Sequence, residues 1–198
     1  MIDEIAWINL ALQGDEKAFT ALVETYQKPV YNLCYRMLGQ PEAAEDAAQE
    51  TFLRVYQNLV RYDRARSFPT WLLSIAAHHC IDILRRRRIF PLMIDGEEGQ
   101  IDLPDPCAPE PELEVAGRQD RDRLQNCLKF LDPTNRAAVI LRYWQDYSER
   151  EIAEALNLTV PAVRLRLHRS RRFLADLWDE KPTHLRSERK PSESPAYL

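Results

Sequence analysis

The stretch from Ser148 to Arg169 constrains this chain more than any other, because its residues specify two helices and the turn between them. Ser148 followed by Glu151 makes a capping box, in which each side chain answers the other's backbone amide and starts a helix. Ile152, Ala153 and Leu156 then fall on one face. Asn157 tolerates the left-handed backbone that ends a helix. Leu158 can plug the gap between helices, and Thr159, with Pro161 behind it, opens the second one. Small Ala153 permits a close crossing, and Val163 and Leu167 face inward. What remains outside is Arg164, Arg166, Arg169, Arg171 and Arg172, with no acid between Pro161 and Leu174. Such a stripe on the second helix of a helix-turn-helix neutralises phosphates and offers planar forks to guanine edges. An ordinary αα-hairpin with a solvated arginine face is the plainer alternative. It leaves the agreement of caps, turn, crossing residue and stripe unexplained.

A net charge of −4 sits badly with DNA until it is divided along the chain. Residues 1–50 hold nine acids and three bases, residues 61–90 seven arginines and two aspartates, and residues 91–115 eight acids and no base. A polyanion can dock on the basic part while an acidic surface faces another partner. At 198 residues, 45% apolar and 29% charged, the chain has the composition of one or two small globular domains.

Cys34, Cys80, Cys107 and Cys127 make no C-x-x-C pair, which suits reduced thiols in a cytosolic protein. His78, His79 and Cys80 are contiguous, and neighbours on a helix point in different directions, so neither a metal nor another cofactor is expected. The first residues lack a basic flank before an apolar core, and no apolar run nears ~20 residues. Neither signal peptide nor membrane span is expected, which implies a cytoplasmic location.

Helical periodicity runs almost everywhere, and no alternating strand pattern stands out. Ile5, Ile8 and Leu12 give a short helix; Phe19 to Met37 continue the pattern to Gly39, with a kink expected at Pro29. Pro41 opens a helix carrying Ala44, Ala47, Ala48, Phe52 and Val55, with Glu45, Asp46, Gln49 and Glu50 on its outer side. Ser67 can cap the next helix, which starts near Pro69 and ends in Arg85–Arg88. Five prolines, two glycines and the acidic run mark residues 91–111 as a linker. Helical pattern resumes near Glu112, and Asp132-Pro133 supplies a cap and first-turn proline for a further helix. The expected fold is therefore all-α: two small helical domains, 1–90 and 112–179, joined by an acidic Pro-rich linker, the second a helix-turn-helix. The polar residues 180–198 read as a disordered tail.

With both halves laid out, the chain resembles the extracytoplasmic-function class of bacterial RNA polymerase sigma factors. Glu45-Asp-Ala-Ala-Gln49-Glu-Thr-Phe52-Leu-Arg-Val-Tyr56 is similar to that family's polymerase-docking segment. Phe68-Pro-Thr-Trp71-Leu-Leu-Ser-Ile75-Ala76 with Asp82-Ile-Leu-Arg-Arg86 is similar to its segment for the melted minus-ten element. Leu131 to Leu174 is similar to its second DNA-binding domain, through Arg136, Leu141-Arg142-Tyr143, Ser148 and Glu151-Ile152-Ala153. Ala77-His78 and Pro161-Ala-Val-Arg-Leu165 depart from the family's usual residues at or beside base contacts, which bears on promoter sequence and not on class.

The resemblance implies docking on the clamp helices of core polymerase through Glu45, Asp46, Gln49, Glu50, Phe52 and Val55. It implies minus-ten contacts from Arg64, Arg66, Trp71, Ser74, Ile75, His78, His79, Arg85 and Arg86, with Tyr62 to Phe68 able to form a pocket for an extruded base. Trp71 beside seven arginines suits stacking on single-stranded bases, at ~1 to 3 kcal/mol per base. Minus-thirty-five contacts fall on Arg150, Thr159, Arg164, Leu165, Arg166, Arg169, Arg171 and Arg172.

The implied function is a sigma factor for an extracytoplasmic or stress response, directing core polymerase to promoter DNA, not an enzyme, with an anti-sigma protein as a further partner. The linker would let the two domains sit far apart. A stand-alone helix-turn-helix regulator is the alternative, and it leaves Trp71 and Arg85 to Arg88 without a role. No nucleophile, base and orienter set supports an enzyme, and no phosphate-binding loop is present.

Overall fold

The computed structural model describes residues 4–89 and 111–179, with side chains at 4–87 and 120–178. Both the expected linker and the polar tail lie almost wholly outside the described residues. Within them the elements are α1 (Glu4–Leu12), α2 (Glu16–Leu38), α3 (Pro41–Asn58), a short 3-10 turn (Leu59–Arg61), α4 (Phe68–Ile89), α5 (Pro111–Lys129), α6 (Pro133–Trp144), α7 (Glu149–Ala155) and α8 (Val160–Asp179). No helix among the described residues is long and apolar enough to cross a membrane.

The helix ends are local chemistry. Asp15 Oδ1 accepts from the amides of Lys17 at 2.9 Å and Ala18 at 3.1 Å, starting α2. Gly39, at φ 77°, ends it by donating to the Tyr35 carbonyl at 2.8 Å. The chain runs as one helix through Pro29. Asp132 caps α6 through the Thr134 amide at 3.0 Å, with Pro133 in the first turn. α4 begins at Phe68, where the Ser67 carbonyl accepts from the Trp71 amide at 3.1 Å.

In the first half α2, α3 and α4 pack around Leu22, Leu33, Met37, Val55, Phe68 and Leu72, all within 1% of full burial. Ala44, Ala47, Ala76 and Ala77, equally buried, let α3 and α4 approach closely. α1 lies on α2 and buries Ile8 and Ala11, while Ile5, expected in the core, is 67% exposed. Cys34, Cys80 and Cys127 are buried free thiols. A hydrogen-bonding neighbour, Cys34, and then burial push the Cys80 thiol far up, so it is inert packing.

The second half does not stand apart from the first. α6 is buried without a gap from Arg136 to Leu141, because α8 covers one side of it and α2 and α4 the other. A helix that is apolar all round needs cover all round. The last turn of α2 supplies the polar part of this contact, its carbonyls accepting from side chains of α5 and α6. Gln125 Nε2 donates to the carbonyls of Tyr35 at 3.2 Å and Arg36 at 3.1 Å. Buried Arg136 donates to the Met37 carbonyl at 2.5 Å and the Lys129 carbonyl at 2.7 Å, binding the ends of α2 and α5 with one fork. The Arg36 guanidinium lies 4.4 Å from the centre of the Trp144 ring. Tyr147 is buried beside Thr70 of α4, and its burial pushes the phenol up to about 12. The two halves are thus in contact in the chain by itself, whatever separation the linker would allow on DNA.

Candidate nucleic-acid interface

The helix-turn-helix is built as its residues dictate. Ser148 Oγ accepts from the Glu151 amide at 3.2 Å, and Glu151 Oε2 accepts from the Ser148 amide at 2.8 Å. The Ser148 hydroxyl, which donates to Glu151 Oε2 at 2.7 Å, and the Ser148 amide together hold the Glu151 carboxyl below its usual range. Asp146 and Asn157, both at φ 54°, take the left-handed backbone on either side of α7. The Leu158 amide returns to the Ala153 carbonyl at 2.8 Å, and Thr159 Oγ1 accepts from the Ala162 amide at 3.3 Å to start α8.

Val163, Leu167 and Ser170 form the buried side of α8, so Arg164, Leu165, Arg169, Arg171 and Arg172 are exposed on it, with Arg150 exposed at the start of α7 and Thr159 at the turn. Two arginines of this stripe are already oriented. Arg164 Nε and Nη2 both donate to Glu149 Oε2, at 3.0 and 2.9 Å, which lowers the Glu149 pKa. Arg166 is half-buried, and its Nη1 donates to Asn135 Oδ1 at 2.7 Å. Neither Glu149 nor Asn135 was a sequence candidate, because one precedes the stripe by 15 residues and the other by 31. Only the crossing of α7 and α6 on α8 brings them there.

Arg166→Ala is expected to flatten base preference at one or two minus-thirty-five positions, since a bidentate arginine contributes ~1 to 3 kcal/mol of discrimination. Asn135→Ala should blunt the same positions less. Arg171→Ala should weaken all sequences alike and lower the salt slope by about one unit. Transcription from a library randomised at the minus-thirty-five element separates these effects; uniform loss in Arg166→Ala would reassign it to phosphate.

The second basic surface joins α4 to the loop before it. Asp63 starts a turn, accepting from the Ala65 amide at 2.9 Å through its side chain and from the Arg66 amide at 3.0 Å through its carbonyl. Tyr62, Phe68 and Trp71 form one aromatic cluster, with centroids 5.5 Å apart for Tyr62–Phe68, 5.1 Å for Tyr62–Trp71 and 5.9 Å for Phe68–Trp71. Phe68 is fully buried beneath it, and Trp71 is half-buried, one part core and one part surface. Ser74 Oγ donates to the Trp71 carbonyl at 2.7 Å. His78 Nδ1 lies 2.8 Å from the Ser74 carbonyl, which only accepts, so Nδ1 carries a proton there. Ile75 is half-buried against the core.

His79 is half-buried on α4. Burial, reinforced by Arg54, pushes its pKa down, and Glu50 lies close enough to oppose them. Arg64, Arg85 and Arg86 are exposed. Arg66 pairs with Glu154 of α7 at 3.1 Å, and Arg85 Nη2 reaches Thr134 Oγ1 at 3.4 Å, so the second half touches this surface at two points.

On α3, Glu45, Asp46 and Gln49 are exposed. Glu50 is half-exposed and already bonded to Arg54 at 2.7 Å, the cause of its lowered pKa. Val55 is 1% exposed, which corrects its assignment to a docking surface: it is core between α2 and α4. Phe52 is half-buried against that core. Exposed Leu53 (51%), Tyr56 (49%) and Val60 (83%) were missed. Their i, i+3, i+7 spacing continues the face of Asp46 and Gln49 and was the available signal.

Two family models match the chain: Sigma-70 region 2 over residues 22–89 and Sigma-70, region 4 over residues 121–174. The ECF RNA polymerase sigma factor SigW of Bacillus subtilis (strain 168) is 36% identical over 172 residues, covering 84% of this chain and 92% of that one. The RNA polymerase sigma factor CnrH of Cupriavidus metallidurans is 32% identical over 174 residues, 85% of this chain and 91% of the other. A structure of CnrH in complex with the cytosolic domain of CnrY superposes with a TM-score of 0.66 at 25% identity, covering 89% of this chain and 97% of that one. With an arginine-faced helix-turn-helix at one end and an aromatic, arginine-lined helix at the other, the chain belongs to the ECF class of RNA polymerase sigma factors.

Proposed function

We propose that this sigma factor docks on core polymerase through the outer face of α3, reads the minus-thirty-five element as duplex with α8, and holds the minus-ten element as an opened strand with the loop 62–67 and α4. One observation carries the proposal most directly. α8 buries Val163, Leu167 and Ser170 and turns Leu165, Arg169 and Arg172 outward, leaving a basic helix face with a methyl-bearing residue among its forks. In α3 the exposed acids Glu45 and Asp46 lead along the helix to exposed Leu53 and Tyr56, so that a polar and an apolar part share one face, as in a protein interface. Residues 1–90, 91–111 and 112–179 would divide the labour as first domain, linker and second domain.

No bond chemistry is assigned to the chain, and duplex opening is driven by binding energy. The work lies where the chromosome is, in the cytoplasm. An anti-sigma protein is the further partner, on the analogy of CnrH, whose structure contains the cytosolic domain of CnrY.

In vitro transcription with purified core polymerase on a genomic library tests the whole reading: initiation at a discrete set of promoters is expected only when this chain is added. Asp46→Arg with Gln49→Ala should sharply reduce co-purification with core while leaving helicity unchanged, because both side chains are exposed. Undiminished co-purification would move the docking surface off α3.

A further inference from the structure

Between α1 and the loop before α4 lies a cavity of about 220 Å³. From α1 come Glu4, Ile5 and Asn9; from the loop come Tyr62, Arg64 and Ser67. α1 is not a loose cover. It is anchored by Ile8, 4% exposed, and Ala11, 7% exposed, and by the Tyr26 hydroxyl of α2, which donates to Glu4 Oε2. Ile5 is left 67% exposed at the rim of the cavity. An apolar side chain on an anchored helix, facing an aromatic ring across a gap, suits a flat apolar group between them. Tyr62 is itself fixed, since its hydroxyl donates to the Arg66 carbonyl at 2.6 Å.

We infer that α1 is the second wall of the minus-ten base pocket, and that Asn9 and Glu4 take part in selecting the extruded base. This rests on the minus-ten reading above and adds to it residues outside the loop and α4. The ring of the base packs between Ile5 and Tyr62, its phosphate meets Arg64, and its edge meets α1. A carboxylate held by Tyr26 only accepts, so Glu4 favours a base with an exocyclic amino group. The Asn9 amide offers a donor beside an acceptor, which matches adenine or cytosine, whose amino group lies next to a ring nitrogen. Thymine lacks the amino group. Glu4, Ile5, Ile8 and Asn9 sit at i, i+1, i+4 and i+5, the spacing that puts four residues on one side of a helix.

The test uses holoenzyme assembled from core polymerase and full-length chain, on promoters randomised across the minus-ten element. Asn9→Ala and Glu4→Gln, the latter retaining an acceptor for Tyr26, should lower the preference for adenine or cytosine at one minus-ten position about fivefold or more. Preferences in the minus-thirty-five element should not change. On a partly single-stranded template with an abasic site at that position, wild type and both variants should bind alike. Wild-type base preference in both variants would overturn the inference, as would an equal loss on every sequence, which would make α1 a support only. Trp71→Ala separates the underlying reading. If it reduces opening while the α1 variants read normally, the minus-ten assignment stands and the role of α1 falls. If Trp71→Ala opens promoters normally, both fall.

Discussion

Arg136→Ala is expected to lower the thermal midpoint by roughly 6 to 12 °C. The side chain is 5% exposed and gives one charged bond to the Met37 carbonyl and one to the Lys129 carbonyl. Bonds from a charged donor contribute ~1.5 to 3 kcal/mol each, and removal leaves buried carbonyls without a partner. About 3 kcal/mol, at ~2 to 4 °C per kcal/mol for a chain of this size, gives the stated range. Arg136→Lys should recover less than half, because a point charge cannot span two helix ends as a planar fork does. Gln125→Ala touches only the α2 side of the contact, so it should loosen the two halves and shift the midpoint far less. Scanning calorimetry on the three variants checks the order; a midpoint unchanged in Arg136→Ala would refute the fork.

Fluorophores at exposed Gln27 and Asp176 should give high energy transfer in the protein alone and lose most of it in the complex with core polymerase and promoter. In the protein alone α5, α6 and α7 lie against α2 and α4. On a promoter, the two elements are about 25 base pairs apart, roughly 85 Å of duplex at ~3.4 Å per pair. If each half takes one element, as proposed, the contact between the halves is expected to part. Residues 90–110 allow the opening, since 21 residues extend up to about 70 Å and the two halves add their own breadth to that reach. The surface pair Arg66–Glu154 must part in the process, at a cost of ~1 kcal/mol or less. Gln125→Ala should already lower transfer in the protein alone. Unchanged high transfer in an actively transcribing complex would show that both elements are read without separation.

Where the physics is local, the residues alone were sufficient. Ser148 with Glu151, Asp132 with Pro133 and Gly39 act within four residues of themselves, and each helix end lies where its cap puts it. Asp146 and Asn157 accept positive φ because a short polar side chain tolerates it, so the missing glycines were no obstacle. The inward and outward sides of α8 follow from a 3.6-residue period alone. Val55 defeated the same reasoning: it sits within one turn of exposed Leu53 and Tyr56, and only the placement of α2 and α4 against α3 decides which of the three is covered. Arg136 reaching Met37, Gln125, Glu149 and Asn135 act across 15 to 99 residues on backbone carbonyls or on side chains whose positions no local pattern specifies. The buried run through Val139, Ile140 and Leu141 showed that α6 needed cover on every side, but not which helices would supply it. That choice rests on the carbonyls at the end of α2 meeting donors from α5 and α6, a match between distant surfaces that exists only once both halves have folded.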